Sequence, residues 1–162
     1  MKIFITGGTT GIGWAIAEHY LKKGHIVGIC GRSLKKLPVD HAQYGERLRT
    51  FEVDVRDKEK LFDAVDSFSG GQLDILLANA GISQGDKTSM PNFETSRDII
   101  QINIEGFLNS FEAGFSIMKT QGRGQLVAMA SVAGMMGLPG AAAYCGSKSA
   151  VIKMCESFTI DF

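Results

Sequence analysis

The sequence predicts an α/β fold with a doubly wound parallel sheet. Three observations carry that expectation. Apolar strand-like runs alternate with segments of helical periodicity along the whole chain. The runs are almost continuously apolar, as strands are when both faces of their sheet are covered. A glycine-rich loop joins the first run to the first helical segment. Crossovers between parallel strands are right-handed, which favours a doubly wound sheet with helices on both faces in three layers (helix, sheet, helix), and the strands are expected in the order 3-2-1-4-5.

The elements follow in order. Residues 2–6 are the first strand. Residues 11–23 form a helix in which Ile12, Ala15, Ile16 and Tyr20 recur at helical spacing, lysines fill the last turn and Gly24 terminates it. Residues 25–30, apolar along IVGIC, are the second strand, and residues 48–55 the third. Asp57 is placed to cap a helix running to Phe68, with Leu61, Ala64, Val65 and Phe68 on one face and Gly70-Gly71 at its end. Residues 73–79 are the fourth strand. Residues 92–119 hold one long helix or two consecutive ones, with Phe107, Phe111 and Phe115 as a stripe that suits a core or a helix contact between subunits. Residues 125–131 are the fifth strand and 142–162 the last helix.

A length of 162 residues fits one domain over 1–162 with a sizeable core. Seventeen basic and seventeen acidic side chains balance to zero, which argues against a nucleic-acid or acidic-membrane surface. No apolar run approaches the ~18 residues of a membrane span, and the start of the chain is strand-like and lacks the pattern of a signal peptide. Cys30, Cys145 and Cys155 are too few and too scattered for a disulfide framework or a zinc site, which suggests a reducing, cytoplasmic compartment. His19, His25 and His41 have no metal-ligand spacing. Cys145 reads as a small packing residue, and Lys35-Lys36 as a solvated face with some pull on phosphate.

Twenty glycines against three prolines is the unusual feature. Gly7, Gly8, Gly11 and Gly13 fall in TGGTTGIG, between the first strand and the first helix. Glycines there let the backbone approach a ligand closely, and the helix start offers free N–H groups and a positive dipole end to a pyrophosphate. No Lys-Ser/Thr pair follows, so this is not a Walker loop; the setting points to a dinucleotide. An NAD site usually carries an acid about 20 residues past such a loop, on the ribose 2′-OH. Gly31 stands at that place and Arg32 follows it. A guanidinium pairs with the 2′-phosphate of NADP, so NADP is expected ahead of NAD.

Further along, Tyr144 and Lys148 are four residues apart on one helix face. A neighbouring ammonium favours the phenolate form of a tyrosine and suits it to general acid–base work. Ser131 lies 13 residues before Tyr144, at the carboxyl end of the fifth run.

Taken together these motifs resemble the short-chain dehydrogenase/reductase family of NAD(P)-dependent oxidoreductases, which have a Rossmann fold. TGGTTGIG is similar to the family's T-G-x-x-x-G-I-G loop, Asn79-Ala80-Gly81 to its N-A-G, and Tyr144 to Lys148 to its Y-x-x-x-K. Asp54-Val55, Asn103 and Ser131 fall at the family's usual intervals. The resemblance implies Ser131, Tyr144, Lys148 and Asn103 as the catalytic set. Tyr144 is then the acid/base, and Lys148 supports it and holds the nicotinamide ribose. Ser131 orients the carbonyl, and Asn103 helps to position a relay water. Cofactor contacts are implied for Gly7, Thr9, Thr10, Gly11, Ile12, Gly13, Arg32, Asp54, Val55, Asn79, Ala80, Gly81, Tyr144 and Lys148. The implied partner is a small carbonyl or alcohol substrate, with residues 83–86 and 135–138 as candidate pocket lining.

Family members continue past this last helix with a further strand, a substrate-covering loop and helix and a final strand, so the sequence reads as truncated at its C-terminus. The expected activity is hydride transfer between NADP(H) and a carbonyl or secondary alcohol. The alternative is a dinucleotide-binding fragment without turnover. An unpaired outer strand edge and two apolar helices that pair across subunits in the family point to a homodimer or homotetramer.

Overall fold

The computed structural model describes residues 1–83 and 92–161. Five parallel strands form one sheet in the order β3-β2-β1-β4-β5. They are β1 (Lys2–Thr6), β2 (Ile26–Gly31), β3 (Leu48–Glu52), β4 (Ile75–Ala78) and β5 (Gln125–Ala128). The register sets Thr6 of β1 beside Cys30 of β2 and Ala78 of β4, so the carboxyl ends of the central strands finish level.

Alternation along the strands sorts the core into two layers. Ile3, Ile5, Val27 and Ile29 face α1 (Gly11–Lys22), where Trp14, Ala17 and Leu21 are buried. Phe4 and Cys30 face the other way, toward α2 (Lys58–Ser69) and α4 (Gly106–Gln121). Ile3, Phe4 and Ile5 have no solvent exposure at all, and burying a side chain of this size contributes about 1.5–3 kcal/mol.

The predicted cap and stop of α2 are present, and α3 has a cap that the sequence reading did not name. The Asp57 carboxylate accepts from the Lys60 N–H at 3.2 Å to start α2, and Gly70 ends it in the left-handed conformation at φ 53°. Asn92 caps α3 (Phe93–Ile100) by accepting from the Thr95 N–H at 3.0 Å. Residues 93–121 are continuous: α3 passes through a π-type turn, Gln101–Glu105, directly into α4. The stripe predicted from spacing faces inward at Phe107 and Phe111, and Phe111 packs 6.0 Å from Phe158 of α5 (Ala142–Asp161).

Three strands are shorter than their apolar runs predict. β3 stops at Glu52, β4 at Ala78 and β5 at Ala128. Val53, Asp54 and Val55, Asn79, and Ser131 therefore lie just beyond their strands. These residues look strand-like in sequence because they remain lining or core after the ladder ends. Between β2 and β3, where periodicity predicts no element, a stretch of 3₁₀ turns (Val39–Arg47), broken by a kink at Gly45, buries Tyr44 against Trp14 at 6.4 Å.

Gly106 opens α4 where the helix crosses the end of β3. A Cβ there would lie 2.4 Å from Cγ2 of Val55. Gly106→Val is expected to destabilise the fold by about 1–3 kcal/mol through overpacking. Urea denaturation of the two proteins measures the difference.

Candidate active site

The carboxyl ends of the strands open into one cleft of about 800 Å³. Its floor is the loop from β1 to α1. Gly7 takes φ 66° to turn the chain, and the Gly8 N–H returns to the Cys30 carbonyl at 3.0 Å. Thr10 enters α1 extended, makes no side-chain cap, and no acid occupies the first turn. The helix start therefore keeps its N–H groups free of a capping side chain and its dipole uncompensated.

Asn79 fixes this loop from β4. Its Nδ2 donates to the carbonyls of Thr6 and Gly7, each at 3.1 Å. The N–H groups of Asn79 and Ala80 both donate to Thr6 Oγ1 at 3.2 Å. Gly13 fits underneath only because it lacks a Cβ, which would lie 2.3 Å from the Gly7 carbonyl oxygen.

Of the residues the motifs single out, Gly7, Thr9, Thr10, Ile12, Gly13, Arg32, Asp54, Val55, Asn79, Ala80, Gly81, Ser131, Tyr144 and Lys148 line the cleft. Two predicted residues do not. Gly11, at φ 57°, shapes the turn from outside, with open space where a Cβ would go. Asn103 is buried behind the wall. Residues 84–86 lie outside the described residues, while Ser83 is on the wall. Met135, Met136 and Leu138 are exposed to solvent and are not part of this wall.

Beyond the predicted set, Ser33 and Lys36 line the cleft beside Arg32. Lys36 reads from sequence as one of two solvated lysines, and only the fold shows which of them borders the cleft. Gly31 packs on Thr9: a Cβ there would lie 2.6 Å from Thr9 Oγ1. A larger side chain at this position would require the Thr9 side chain to shift. Asp54, across from Arg32, is already engaged. Arg56 donates to it from Nη2 at 2.7 Å, from Nε at 3.2 Å and from the backbone at 3.0 Å. Arg56 therefore holds the Asp54 carboxyl below its ordinary value, with burial opposing and Arg32 adding a smaller pull.

At the opposite end of the sheet, Ser131 caps a 3₁₀ turn (Val132–Gly134), its Oγ accepting from the Ala133 N–H at 3.2 Å. Tyr144 and Lys148 share the start of α5. The Lys148 ammonium lies 5.9 Å from the centre of the Tyr144 ring and donates to the Met129 carbonyl at 2.7 Å. Lys148 is 6% exposed, and burial lowers its pKa. A hydroxyl, a phenol and a desolvated ammonium thus meet on one wall. That set can bind an oxygen atom and move a proton to or from it.

Asn103 is spent on the chain itself. Its Oδ1 accepts from the Ile82 N–H at 2.8 Å, and its Nδ2 donates to the Ile82 carbonyl at 2.9 Å and to Ser147 Oγ at 3.0 Å. Ser147 is absent from the motif reading. Its only sequence signal is a helical spacing of three from Tyr144. Cys145 is buried, and its Sγ accepts from the Leu138 N–H at 3.3 Å, in keeping with a packing role. Burial pushes the Cys30 thiol up to about 12, which makes it inert. Among the described residues no cluster of His, Cys, Asp and Glu could hold a metal ion, and no helix is long and apolar enough to cross a membrane.

A family model described as short chain dehydrogenase matches residues 1–162. An uncharacterized oxidoreductase of Mycobacterium tuberculosis is 30% identical over 99% of this chain and 67% of its own length. The crystal structure of serine dehydrogenase from Escherichia coli superposes with a TM-score of 0.91 at 25% identity, covering 99% of this chain and 76% of that one. The structure of ElxO with NADP bound gives a TM-score of 0.86 at 30% identity, over 94% of this chain and 64% of that one. The chain spans between about a third and two thirds of the length of the curated relatives it matches.

The Asp54–Arg56 pair has a pH signature. A carboxyl whose folded value is depressed contributes stability above its unfolded value of 3.8, and that contribution is lost as pH falls through the folded value. Asp54→Asn is expected to flatten this part of the acid limb of stability below about pH 4. Melting temperatures of both proteins from neutral pH down to the acid limb measure it.

Proposed function

The chain belongs to the short-chain dehydrogenase family, and from that premise we propose an NADP(H)-dependent oxidoreductase. The reaction is hydride transfer between the nicotinamide and a carbonyl or secondary alcohol, with Tyr144 as acid and base. One observation carries the reading: Ser131, Tyr144 and Lys148 stand on the wall of the same cleft whose floor is the glycine loop.

The residues present fit the dinucleotide. The space that a Cβ at Gly7 or Gly13 would fill is closed by backbone, so only glycine gives this floor its shape. Gly7, Thr9, Thr10, Ile12, Gly13 and the open N–H groups of α1 would hold the pyrophosphate. Arg32, with Ser33 and Lys36 beside it, would hold the 2′-phosphate. Asp54 and Val55 would border the adenine, and Asn79, Ala80 and Gly81 would line the path between the two ends. Gly31 leaves no carboxylate to take the 2′-OH of NAD, which favours NADP. ElxO, whose structure holds NADP, is a relative with the same fold.

When bound, the nicotinamide supplies or accepts the hydride. The chain's own groups do the rest. Ser131 Oγ donates to the substrate oxygen and sets its direction. Tyr144 gives its phenolic proton to that oxygen in reduction and takes it back in oxidation. Lys148 holds the ribose hydroxyls, and its ammonium compensates negative charge on the Tyr144 oxygen. Asn103 supports this end by fixing the main chain at Ile82. The complete trio on one wall favours turnover over a binding module. A small carbonyl or alcohol substrate, a homodimer or homotetramer, a cytoplasmic location and one domain over 1–162 belong to the same reading.

Two substitutions test it. In the complete gene product, Tyr144→Phe is expected to lower kcat by about 10²–10⁴-fold while NADPH binding changes little. NADPH oxidation against a panel of ketones and 3-oxo esters, with fluorescence titration of NADPH, separates the two effects. Retained turnover in Tyr144→Phe overturns the acid/base role. Arg32→Ala is expected to weaken NADPH binding about tenfold or more, as loss of a charge-assisted pair does, and to leave NADH binding unchanged. Equal affinities of the wild type for NADH and NADPH would rule out the preference.

A further inference from the structure

Ser147 is fully buried in the first turns of α5, and the reading above gives it no task. Its hydroxyl donates to the Tyr144 carbonyl at 2.8 Å and lies 3.0 Å from Asn103 Nδ2. The direction of the second bond follows from the rest of the network. Asn103 meets the main chain of Ile82 with both ends of its amide, at 2.8 and 2.9 Å. A backbone N–H only donates and a carbonyl only accepts, so the amide has one orientation. Its remaining N–H points at Ser147, whose single proton is committed to Tyr144. A directed chain of hydrogen bonds therefore runs from the π-type turn between α3 and α4, through Ser147, to the turn carrying Tyr144 and Lys148.

We infer that Ser147 is a positioning residue for this site, locking Asn103 and the Gly81–Ile82 stretch of the cleft against the Tyr144–Lys148 turn. The inference rests on the reading of Tyr144 and Lys148 as the proton-handling pair. Gly81 shows how closely these parts converge: a Cβ there would lie 3.2 Å from Asn103 Oδ1 and 3.6 Å from Lys148 Nζ. Without the Ser147 hydroxyl, one Asn103 N–H is left without an acceptor in a place where Asn103 is 2% exposed. A buried donor without a partner is costly, so Asn103 must move or admit water. Either change hydrates the pocket of Lys148 and loosens the turn that sets its ammonium 5.9 Å from the centre of the Tyr144 ring. Lys148 is the charged group over the Tyr144 ring. The other charged groups lining the cleft, Arg32, Lys36 and Asp54, belong to its β2–β3 end, and Asn103 from the π-type turn is neutral.

The test reads the protein carrying ¹³Cζ-labelled tyrosine by NMR at one fixed neutral pH. The chain has three tyrosines, and Tyr144→Phe identifies the signal of interest. In Ser147→Ala the Tyr144 signal is expected to move and broaden as its turn loses the tie to Asn103. Ser147→Thr, which keeps the hydroxyl, is expected to restore it. An unchanged signal in Ser147→Ala overturns the inference, as does an equal change in Ser147→Thr, which would make bulk the cause. If Ser147→Ala does not fold, Ser147→Cys replaces it: a changed signal supports the inference and an unchanged one overturns it. The spectra are recorded first without dinucleotide, then with NADP. A wild type that binds no NADPH would sink the functional reading, while the first spectra still decide on Ser147.

Discussion

The side-chain amide of Asn79 ties the end of β4 to the end of β1, and the cleft depends on that tie. Two parallel strands side by side leave their last carbonyls pointing past the sheet with no ladder partner. Asn79 takes two of them, from Thr6 and Gly7, while the Thr6 hydroxyl takes the N–H groups of Asn79 and Ala80. Four backbone groups are thereby bonded by two side chains, the Asn79 N–H sharing its proton with the Leu77 carbonyl at 3.0 Å. The glycine loop is thereby held open above the sheet, and Gly13 can slide beneath it without a Cβ. This is also where strand order reverses, β1 pairing with β2 on one side and β4 on the other, the place where open α/β sheets bind ligands.

From that centre the cleft extends in two directions with different electrostatics. Toward β2 and β3 it is lined by Arg32, Lys36 and a carboxylate already engaged by Arg56. The cations there are exposed and hydrated, suited to a charged ligand that brings its own counter-charge. Toward β5 the wall is drier. Lys148 is desolvated, and its ammonium is compensated by the Met129 carbonyl rather than by a carboxylate. Compensation by a neutral dipole leaves the cation with an uncancelled charge near the Tyr144 ring. An ion pair at this position would have quenched it.

The long helical segment over 93–121 connects core packing to the site. The π-type turn, Gln101–Glu105, carries Asn103 to Ile82, and α4 beyond it buries Phe107 and Phe111 in the core. Gly106 follows at once and lets the helix approach Val55, itself on the cleft wall. Packing of the hydrophobic layer and placement of the polar network are thus solved by six consecutive residues, Gln101 to Gly106.

Much of this was legible in the chain. Periodicity separates strands from helices because burial imposes a repeat of two or 3.6 on side chains whatever their neighbours. The cap at Asp57 and the stop at Gly70 are local, each decided within a few residues. The glycine loop and the Tyr144–Lys148 pair are legible for the same reason: their chemistry needs fixed short spacings. What the sequence could not decide depends on residues far apart. Strand ends at Glu52, Ala78 and Ala128 are set by where neighbouring strands stop pairing, which hydrophobicity does not record. The place of Lys36 on the cleft, the packing of Gly31 on Thr9 and the burial of Tyr44 need the fold of separate segments. Asn103 and Ser147 are 44 residues apart, and nothing in either neighbourhood marks them as partners. Local spacing specified the chemistry present; only the packing of helices across the sheet decided which polar atoms face one another.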